Sequence, residues 1–468
     1  MDIRLKITNL EGVFMYIYLK KHIAMIQNLI QQFGKTALSV VAALLLFGYA
    51  QNAKASLIFQ DDQIQNTTFN QFKGTVKDGA SGKSLVFATL TLEGTNISTV
   101  TNTEGEFLLK IPSTTTSGDV RISFLGYKSK LVSLSQLTQD KNKITLDILV
   151  TELAEVNISV PKSAEKLVRE TLERRGENYF NDPTLMTAFY RETIKKRKRN
   201  VSLSEAVVNI YKTPYNSKRK DAMKLYKARK STDYRKLDTI ALKLQGGPFN
   251  ALFVDVMKYP EYIFATEYIS DYKFTFDRST RINDRLIYVI NFIQRDDIET
   301  PLYRGKLYID AENKILTSAI YSLNITDKEK ASKLFVRKKP KNASVYPTEV
   351  AYRVDYREKD GRWYYGYSNV LLEFKINWDK KLFNSVYSMT CEMAVTDWEK
   401  NNDVDSPKSK ERLKSSIILG DEAIGFSDPD FWGQYNIIEP EKSIESAIKK
   451  IQRQLKRSKG NGSGTSTP

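Results

Sequence analysis

The sequence predicts a mainly β protein, with an N-terminal seven-stranded β-sandwich followed by a larger antiparallel β domain with a few flanking helices. Residues 70–156 hold short segments of alternating apolar and polar residues, separated by clusters of Gly, Asp, Asn and Ser, a pattern typical of a sandwich. Residues 160–458 hold longer alternating segments, and only a few stretches have a helical period. Residues 1–55 and 459–468 fit neither pattern and are predicted to lie outside both domains.

The first segment, residues 1–55, is predicted to be a signal peptide. Ala37–Tyr49 is an uncharged apolar run that follows Lys35, and Ala53–Ala55 supplies a small-x-small cleavage site. The run is shorter than the roughly 20 apolar residues of a spanning helix, so a retained anchor is the second interpretation. Met15 or Met25 are alternative start positions. We therefore expect an exported protein of the periplasm or the outer membrane.

The sandwich prediction for residues 70–156 depends on seven short strands. Asp78–Gly82 and Asn102–Gly105 are turn clusters, and the second indicates a tight hairpin. The predicted strands are 72–76, 86–92, 98–101, 106–111, 120–125, 130–134 and 143–150.

Spaced residues in this region resemble the carboxypeptidase regulatory-like, transthyretin-like domain. They are Gly74-x-Val76-x-Asp78, Ala88, Thr103-x-Gly105-x-Phe107 and Phe124-x-Gly126-Tyr127. Asn102 stands where that family usually has Asp, and the Pro expected near Leu85 is missing. The resemblance implies a β-sandwich that serves as an accessory module without catalysis, so it implies no peptidase activity.

The second domain is predicted to begin with an amphipathic helix over 163–178 and to continue as strands. A short helix is expected over Ala251–Met257, and another, after Glu439-Pro440, carries an apolar stripe from Ile444 to Leu455. Packing against the sheet is the favoured role of the last helix, with membrane-surface contact as the alternative. The Gly/Ser/Thr-rich tail is predicted to be disordered. The predicted strands are 201–211, 273–276 paired with 286–293, 304–309 paired with 315–323, 350–356 paired with 363–374 about Lys359–Gly361, and 383–397.

Two further resemblances concern this domain. Leu167-Val168, Glu177–Tyr179 and Ala188–Glu192, in that order, resemble exported envelope proteins of Bacteroidetes that carry the same sandwich. Tyr288–Ile290 with Gly305–Asp310 is similar to the half-barrels of lipoprotein carriers, which implies a curved sheet around an apolar ligand. The first resemblance implies no chemistry, and the second supplies a carrier hypothesis.

Histidine and cysteine counts exclude most catalytic chemistry. The single histidine, His22, lies in the predicted leader, and Cys391 is the single cysteine. Histidine-dependent hydrolysis and His or Cys metal sites are therefore excluded for residues 56–468, and no cofactor is expected. The net charge of +17 suggests acidic partners such as anionic lipid or glycan, or else simple solubility. An exported protein is not expected to bind nucleic acid.

Two patterns remain as catalytic candidates. Asp296, Asp297 and Glu299 form the densest acidic cluster of the second domain, and paired carboxylates could hydrolyse glycosides. Their place between two strands favours a solvated loop. Ser163 and Lys166 have Ser–Lys hydrolase spacing, but Ser163 after Pro161 is better interpreted as a helix N-cap.

Three features of the sequence are candidate surface sites. Lys195–Arg199 and Arg337–Lys341 are dense basic runs at predicted turns, for which a solvated loop is favoured over contact with anionic lipid or glycan. Trp363–Tyr367 alternates aromatic residues along a strand, and core packing is favoured over a sugar-stacking platform.

Together these features predict an envelope binding or scaffold protein without catalytic activity. The expected partner is an envelope component: anionic lipid, glycan or another envelope protein. The particular ligand, the oligomeric state and the binding residues are left open. A lipid or lipoprotein carrier is the alternative, and a carboxylate glycosidase comes third.

Overall fold

The computed structural model describes residues 2–6, 68–149, 163–197, 199–232, 241–265, 268–277, 279–282, 285–379, 384–401, 406–425 and 431–441. The apolar run 37–49, the predicted cleavage site, the predicted C-terminal helix and the tail 459–468 lie outside these residues. Within the described part, no helix is long and apolar enough to cross a membrane.

Residues 68–149 form the predicted seven-stranded sandwich. One sheet has the order β5-β2-β8 and the other β4-β3-β6-β7, and the two enclose a core that includes Val76, Phe107 and Ile122. The tight hairpin expected at Asn102–Gly105 is wrong, because β4 and β5 belong to different sheets and the turn connects the two. Gly105 in this turn has a φ of 74°, and a Cβ there would lie 2.8 Å from the Val76 carbonyl oxygen. The strands, after β1 (Asp2–Lys6), are β2 (Phe69–Asp78), β3 (Thr89–Leu92), β4 (Ser98–Val100), β5 (Glu106–Pro112), β6 (Asp119–Ser123), β7 (Lys130–Ser133) and β8 (Asn142–Leu146).

The second domain is built on a 12-stranded sheet. Its order is β13-β15-β16-β17-β19-β20-β21-β9-β10-β11-β22, with β14 paired to β15. Every pairing in it is antiparallel except β11 with β22. The strands are β9 (Thr184–Lys196), β10 (Arg199–Lys212), β11 (Ala222–Thr232), β12 (Ala241–Gln245), β13 (Tyr272–Phe276), β14 (Thr280–Ile282), β15 (Arg285–Gln294), β16 (Tyr303–Asp310), β17 (Leu316–Leu323), β18 (Val336–Lys338), β19 (Ala343–Lys359), β20 (Arg362–Trp378), β21 (Ser385–Lys400) and β22 (Ile424–Gly425).

The helices are few and short. The helix predicted over 163–178 is divided at Arg174 into two, so the prediction missed this break. The helix predicted over Ala251–Met257 is a single turn that begins at Phe249 and ends at Leu252, so that prediction was placed too far along the chain. The helices are α1 (Ala164–Glu173), α2 (Arg175–Asn178), α3 (Phe249–Leu252), α4 (Lys328–Phe335) and α5 (Leu419–Glu422). The three-residue 3₁₀ turns are Leu134–Gln136, Pro260–Tyr262 and Ile269–Asp271.

The two faces of the large sheet are both covered near its middle. Along β9, Ala188 and Tyr190 belong to the main core, whereas Phe189 between them belongs to a second apolar cluster. We call the side of Tyr190 the core face and the side of Phe189 the outer face. Helix α1 and residues 249–265 pack in the main core, and the sandwich lies against the outer face.

Strand β1 lies within the predicted signal peptide. It pairs in parallel with β12, from Asp2 opposite Ala241 to Lys6 opposite Gln245, and it also pairs with β18. Ile3 and Leu5 alternate with polar residues in a pattern that suits a strand. This differs from the expectation that residues 1–55 contribute nothing to the fold. Cleavage after Ala55 stays a prediction.

Candidate ligand-binding cleft

The sandwich is joined to the outer face of the large sheet through a shared apolar cluster. Val100 and Leu108 come from the sandwich, and Phe189 and Tyr367 come from the sheet. Residues 431–441, here called the C-terminal segment, contribute Trp432, Ile437 and Ile438 to the same cluster.

Hydrogen bonds hold the C-terminal segment on both of its sides. The Asn436 side chain accepts from the Lys110 backbone N–H at 2.7 Å and donates to the Lys110 carbonyl oxygen at 2.9 Å, so it bonds β5 as a neighbouring strand would. Thr99 donates to the Ile437 carbonyl oxygen, and Arg191 of the sheet donates to that of Ile438 at 2.6 Å. The segment therefore fastens the sandwich to the sheet.

A line of alternating charges lies beneath this segment. Glu392, Arg191, Glu205 and Arg229 stand opposite one another on four adjacent strands, β21, β9, β10 and β11, and we call them the charge ladder. The ion pairs measure 3.2, 2.8 and 2.8 Å in that order. Burial acts to raise the pKa of Glu205, but Arg191 and Arg229 outweigh it and hold that pKa below its usual range. The ladder is electrically balanced.

Farther along the outer face, aromatic rings of the sandwich pack on an arginine of the sheet. The guanidinium carbon of Arg353 lies 5.7 Å from the ring centre of Phe87 and 6.0 Å from that of Phe124. Phe87 also packs on Tyr367, with ring centres 4.9 Å apart. Phe87 has a φ of 64°, a left-handed conformation that strains a residue with a side chain. The Phe87 ring, held by this backbone conformation, contacts Arg353 and Tyr367 and so forms part of the contact between the sandwich and the sheet.

Beside these contacts a cleft of about 610 Å³ separates the sandwich from the sheet. Its roof is formed by sandwich residues that include Thr89, Thr91, Ser123 and Phe124. Its floor is formed by the ends of β15, β17, β19 and β20 on the outer face. Four arginines line it: Arg121, Arg285, Arg353 and Arg357.

Three of the four arginines are ion-paired. Arg121 donates twice to Glu93, at 2.8 and 3.1 Å, which raises the pKa of Arg121 and lowers that of Glu93. Arg353 donates to Asp355 at 2.7 Å. Arg285 lies 3.5 Å from Asp310 and 3.7 Å from Glu358.

Arg357 is the exception. It is 9% exposed, and its Nη1 donates to the Ser98 hydroxyl of the sandwich and to the Val395 carbonyl oxygen of β21, the latter at 2.8 Å. Its Nε and Nη2 are enclosed by the protein, Tyr364 is a further hydrogen-bond partner of the side chain, and no carboxylate among the described residues forms an ion pair with it. Burial lowers the pKa of Arg357, although Tyr364 and Asp355 oppose the change. Arginine remains charged in proteins, so this is a buried cation whose hydrogen-bond partners among the described residues are neutral.

A glycine allows Arg357 to lie where it does. A Cβ at Gly366 of β20 would stand 2.6 Å from Arg357 Cγ and 2.9 Å from its Nε. A glycine inside a strand often marks a close approach, so Gly366 in the aromatic stretch 363–367 was the available sequence signal for this site.

The acidic candidates Asp296, Asp297 and Glu299 lie in the loop between β15 and β16, as the sequence favoured. Each is highly exposed and pairs with a different cation: Lys273, Arg295 and Lys330 respectively. Hydrogen bonding to Arg295 lowers the pKa of Asp297, whereas the general acid of a glycosidase needs a raised pKa.

The other sequence candidates also have structural positions. The Ser163 hydroxyl accepts from the Lys166 backbone N–H at 3.2 Å, which confirms the N-cap. Lys195–Arg199 spans the turn between β9 and β10, and Arg337–Lys341 spans the end of β18 and the loop after it. The four aromatic side chains of Trp363–Tyr367 are all buried, which confirms core packing.

Sequence reasoning missed a buried polar cluster on the core face. Lys212 donates to Asp221 and to Asp255, each at 2.7 Å, and all three side chains are at most 1% exposed. Tyr356 of β19 donates to the other oxygen of Asp255 at 2.9 Å. These bonds fix residues 249–265 against the sheet, so the core face is filled by the chain's own residues.

Glu192 is a second buried group on that face. Tyr190 donates to it at 3.0 Å, and burial raises the pKa of Glu192 to about 7. Burial also raises the pKa of Cys391 well above its usual value, so this thiol is not an activated nucleophile. Among the described residues, no group of three His, Cys, Asp or Glu side chains is arranged to hold a metal ion.

Comparison with protein families identifies one domain. Residues 72–159 match the CarboxypepD_reg-like domain family, which confirms the resemblance noted in the sequence. The sandwich thus belongs to that domain class. No curated protein matches the chain.

Solved structures give only distant matches. A Vibrio parahaemolyticus domain named for outer membrane lipoprotein sorting is 12% identical, with a TM-score of 0.24, over 53% of this chain and 96% of that one. A DUF1329 family protein from Desulfovibrio piger is 9% identical, with a TM-score of 0.21, over 52% of this chain and 95% of that one. Lipovitellin is 7% identical, with a TM-score of 0.24, over 51% of this chain and 28% of that one. These scores are too low to carry a ligand or an activity over to this chain.

Proposed function

We propose that this chain is an exported, non-catalytic binding protein of the cell envelope, and that its ligand lies in the cleft between the sandwich and the large sheet. The observation that carries the proposal is the way the sandwich is fastened. Arg353 lies under two of its rings, Arg357 bonds its Ser98, and the C-terminal segment bonds its β5. A cleft held by buried contacts on both sides is preorganised, which reduces the entropy lost on binding.

A non-catalytic role is supported by the available side chains. Residues 56–468 contain no histidine, and the buried Cys391 is unsuited to nucleophilic attack. The acidic candidates pair with surface cations, and Ser163 serves as a helix cap. Export is supported by the order of charged, apolar and small residues in 1–55, and the mass of the N-terminal peptide tests it directly.

The carrier alternative would place its ligand on the core face. A lipid there would have to displace residues 249–265, which the Lys212–Asp255 ion pair and the Tyr356 hydroxyl hold in place. The two functions therefore predict ligand contact on opposite faces of the same sheet.

Hydrogen–deuterium exchange can distinguish the two faces. The protein, purified from a bacterial envelope without detergent, would be compared with and without a saccharide-and-lipid extract of that envelope. Slower exchange in 87–95, 121–125 and 353–360 would support the cleft. Slower exchange confined to 249–265, together with a lipid recovered by organic extraction, would replace this proposal with the carrier function. No change in the cleft segments would also overturn it.

A further inference from the structure

The roof of the cleft is a regular patch of polar side chains. Strands β3 and β6 pair so that Thr89 lies opposite Ser123 and Thr91 lies opposite Arg121. All four side chains leave the sandwich on the side away from its core, because the residues that alternate with them lie in that core. All four residues are partly exposed. The roof therefore presents three hydroxyl groups and a guanidinium on one surface.

A charge pair on the roof supplies further hydrogen-bonding groups. Arg121 binds the two oxygens of Glu93 through Nε and Nη2, so Nη1 is outside that pair. Each Glu93 oxygen accepts one of these bonds and retains capacity for another. The side chains of Arg121 and Glu93 are 39% and 40% exposed, so both are accessible to a ligand. The pair thus offers hydrogen-bond donors and acceptors side by side.

The floor of the cleft repeats this arrangement. Arg353 donates to one oxygen of Asp355 at 2.7 Å, and the Ser318 hydroxyl donates to the other oxygen at 2.6 Å. Arg353 and Asp355 are both partly exposed. Arg285 lies within reach of Glu358, and both side chains are more than one-third exposed. Roof and floor therefore both present bonded charge pairs rather than single charges.

The charges of the cleft cancel one another. Lys359 adds one cation to the four arginines of the lining. The hydrogen bonds from Arg121 lower the pKa of Glu93, and so does the charge of Lys359. Asp310 lies outside the lining and pairs with Arg285. The carboxylates of the lining are Glu93, Asp355, Glu358 and Asp360. Together with Asp310 they equal the cationic side chains in number, so the cleft carries no net charge.

A balanced set of bonded charges favours an uncharged ligand. An ionic ligand would gain no net attraction from such a lining and would lose part of its water shell on entering. An alkyl chain would remove water from the charge pairs and hydroxyls without giving them a hydrogen bond in return. A hydroxyl group both donates and accepts, so neighbouring hydroxyls of a ligand match an arginine beside a carboxylate.

The roof surface also continues past the cleft. On β7, Leu131 lies opposite Arg121 and is 52% exposed. This exposure indicates that the cleft is open on the side of β7. A ligand longer than the cleft can therefore extend out of it along the same surface.

We propose that the cleft binds a neutral oligosaccharide, and that Thr91, Arg121 and Glu93 of the roof are its main hydrogen-bonding residues. The hydroxyl groups of the sugar bond the roof, and the floor pairs face its other side. This inference rests on the proposed function, because it names the ligand class of the same cleft.

A glycan array tests the ligand class with the whole protein. The array carries neutral oligosaccharides of glucose, mannose, galactose, xylose and N-acetylglucosamine, beside glycans that bear uronate, phosphate or sulfate groups. We expect binding to at least one neutral series. Binding confined to the charged glycans, or no binding at all, would overturn the inference.

Two threonine variants provide the matched comparison. Thr91→Val keeps the shape of a roof side chain but removes its hydroxyl, so we expect about threefold to tenfold weaker binding of the neutral oligosaccharide. Thr275→Val makes the same change at an exposed position of β13, outside the cleft, and should leave the affinity unchanged. Calorimetric titration measures both affinities. Equal affinity in Thr91→Val, or an equal loss in Thr275→Val, would contradict the assignment.

A third variant tests the charge balance. Glu93→Gln removes one carboxylate and leaves the cleft with one positive charge in excess. We expect about tenfold weaker binding of the neutral oligosaccharide, because a charged acceptor is lost. We also expect binding of uronate-bearing glycans to appear. If Glu93→Gln binds both classes as the unchanged protein does, the charge pairs do not select the ligand and the inference is wrong.

Failure of this inference can be distinguished from failure of the proposed function. If the envelope extract slows amide exchange in 87–95 and 121–125 but no neutral glycan binds, the cleft is the binding site and its ligand belongs to another class. If the extract also fails to slow exchange there, the cleft itself is wrong.

Discussion

The charge ladder and Arg357 are two buried polar regions on the same face of the same sheet, and they differ in one respect. In the ladder, two arginines and two carboxylates alternate across four strands and neutralise one another. In the cleft, Arg357 is buried to a similar degree but has no anionic partner among the described residues. Burial of charge therefore does not by itself indicate function. The compensated set is explained by the docking of the C-terminal segment, whereas the hydrogen-bond partners of Arg357 among the described residues are neutral groups of the sandwich and the sheet.

The largest expected effect comes from breaking the ladder. Arg191→Met would leave Glu205 with one partner instead of two and would remove the bond to the Ile438 carbonyl oxygen. Removing one member of a buried ion pair typically lowers the free energy of unfolding by about 3–5 kcal/mol. Urea unfolding measures the change. Arg295→Met, which removes an exposed pair, should change stability by less than about 1 kcal/mol. Similar losses in the two variants would contradict the comparison.

The next effect is a pH dependence that comes from the core face. Burial raises the pKa of Glu192 from 4.5 to about 7, so the folded state binds this proton more tightly than the unfolded state does. The contribution of Glu192 to stability is therefore fully present below pH 4.5 and is lost as the pH rises towards 7. We expect a loss on the order of 3 kcal/mol across that interval. Urea unfolding curves measured between pH 4.5 and 7 should show a smaller loss of unfolding free energy in Glu192→Gln than in the unchanged protein. If the unfolding free energies of the two proteins fall in parallel with pH, Glu192 is not responsible.

A smaller effect concerns the sandwich side of the cleft. Phe87→Ala removes the ring contacts with Tyr367 and Arg353, and we expect it to lower the free energy of unfolding by about 2 kcal/mol. Because Phe87 has a left-handed backbone, Phe87→Gly should be more stable than Phe87→Ala by about 1 kcal/mol. Thermal unfolding of the two variants measures the difference. The reverse order, which is usual within strands, would mean that the backbone at Phe87 is not strained.

The smallest expected effect on stability comes from Arg357 itself. Arg357→Met removes a buried unpaired charge, which is favourable, and two hydrogen bonds from Nη1, which is unfavourable. Because these two effects oppose each other, we expect the free energy of unfolding to change by no more than about 1 kcal/mol. Urea unfolding of Arg357→Met and Arg191→Met under the same conditions compares the two changes in unfolding free energy directly. A loss as large as that of Arg191→Met would mean that Arg357 acts mainly as a structural bridge.

The sandwich and the hairpins could be predicted because their signals are local. Alternation between turn clusters predicted all seven strands of the sandwich, and Lys359–Gly361 predicted the longest hairpin. In that turn Asp360 and Gly361 have φ angles of 51° and 76°, the left-handed pair that a two-residue turn requires.

The cleft could not be predicted because it depends on contacts distant in sequence. The pairing of β21 with β9 brings Glu392 beside Arg191, and the docking of the sandwich brings Ser98 to Arg357. No local pattern distinguishes Arg357 from the other basic residues of a chain with 72 lysines and arginines. Gly366 was a usable signal, but the surrounding aromatic residues favoured core packing, which does not indicate a cleft.

The most direct test of the central claim is a crystal structure of the protein grown with the saccharide-and-lipid extract of a bacterial envelope. We expect ligand density in the cleft between the sandwich and the outer face of the sheet, beside Thr89 and Phe124. Ligand density confined to the core face, in the place of residues 249–265, would contradict the claim that the cleft is the binding site.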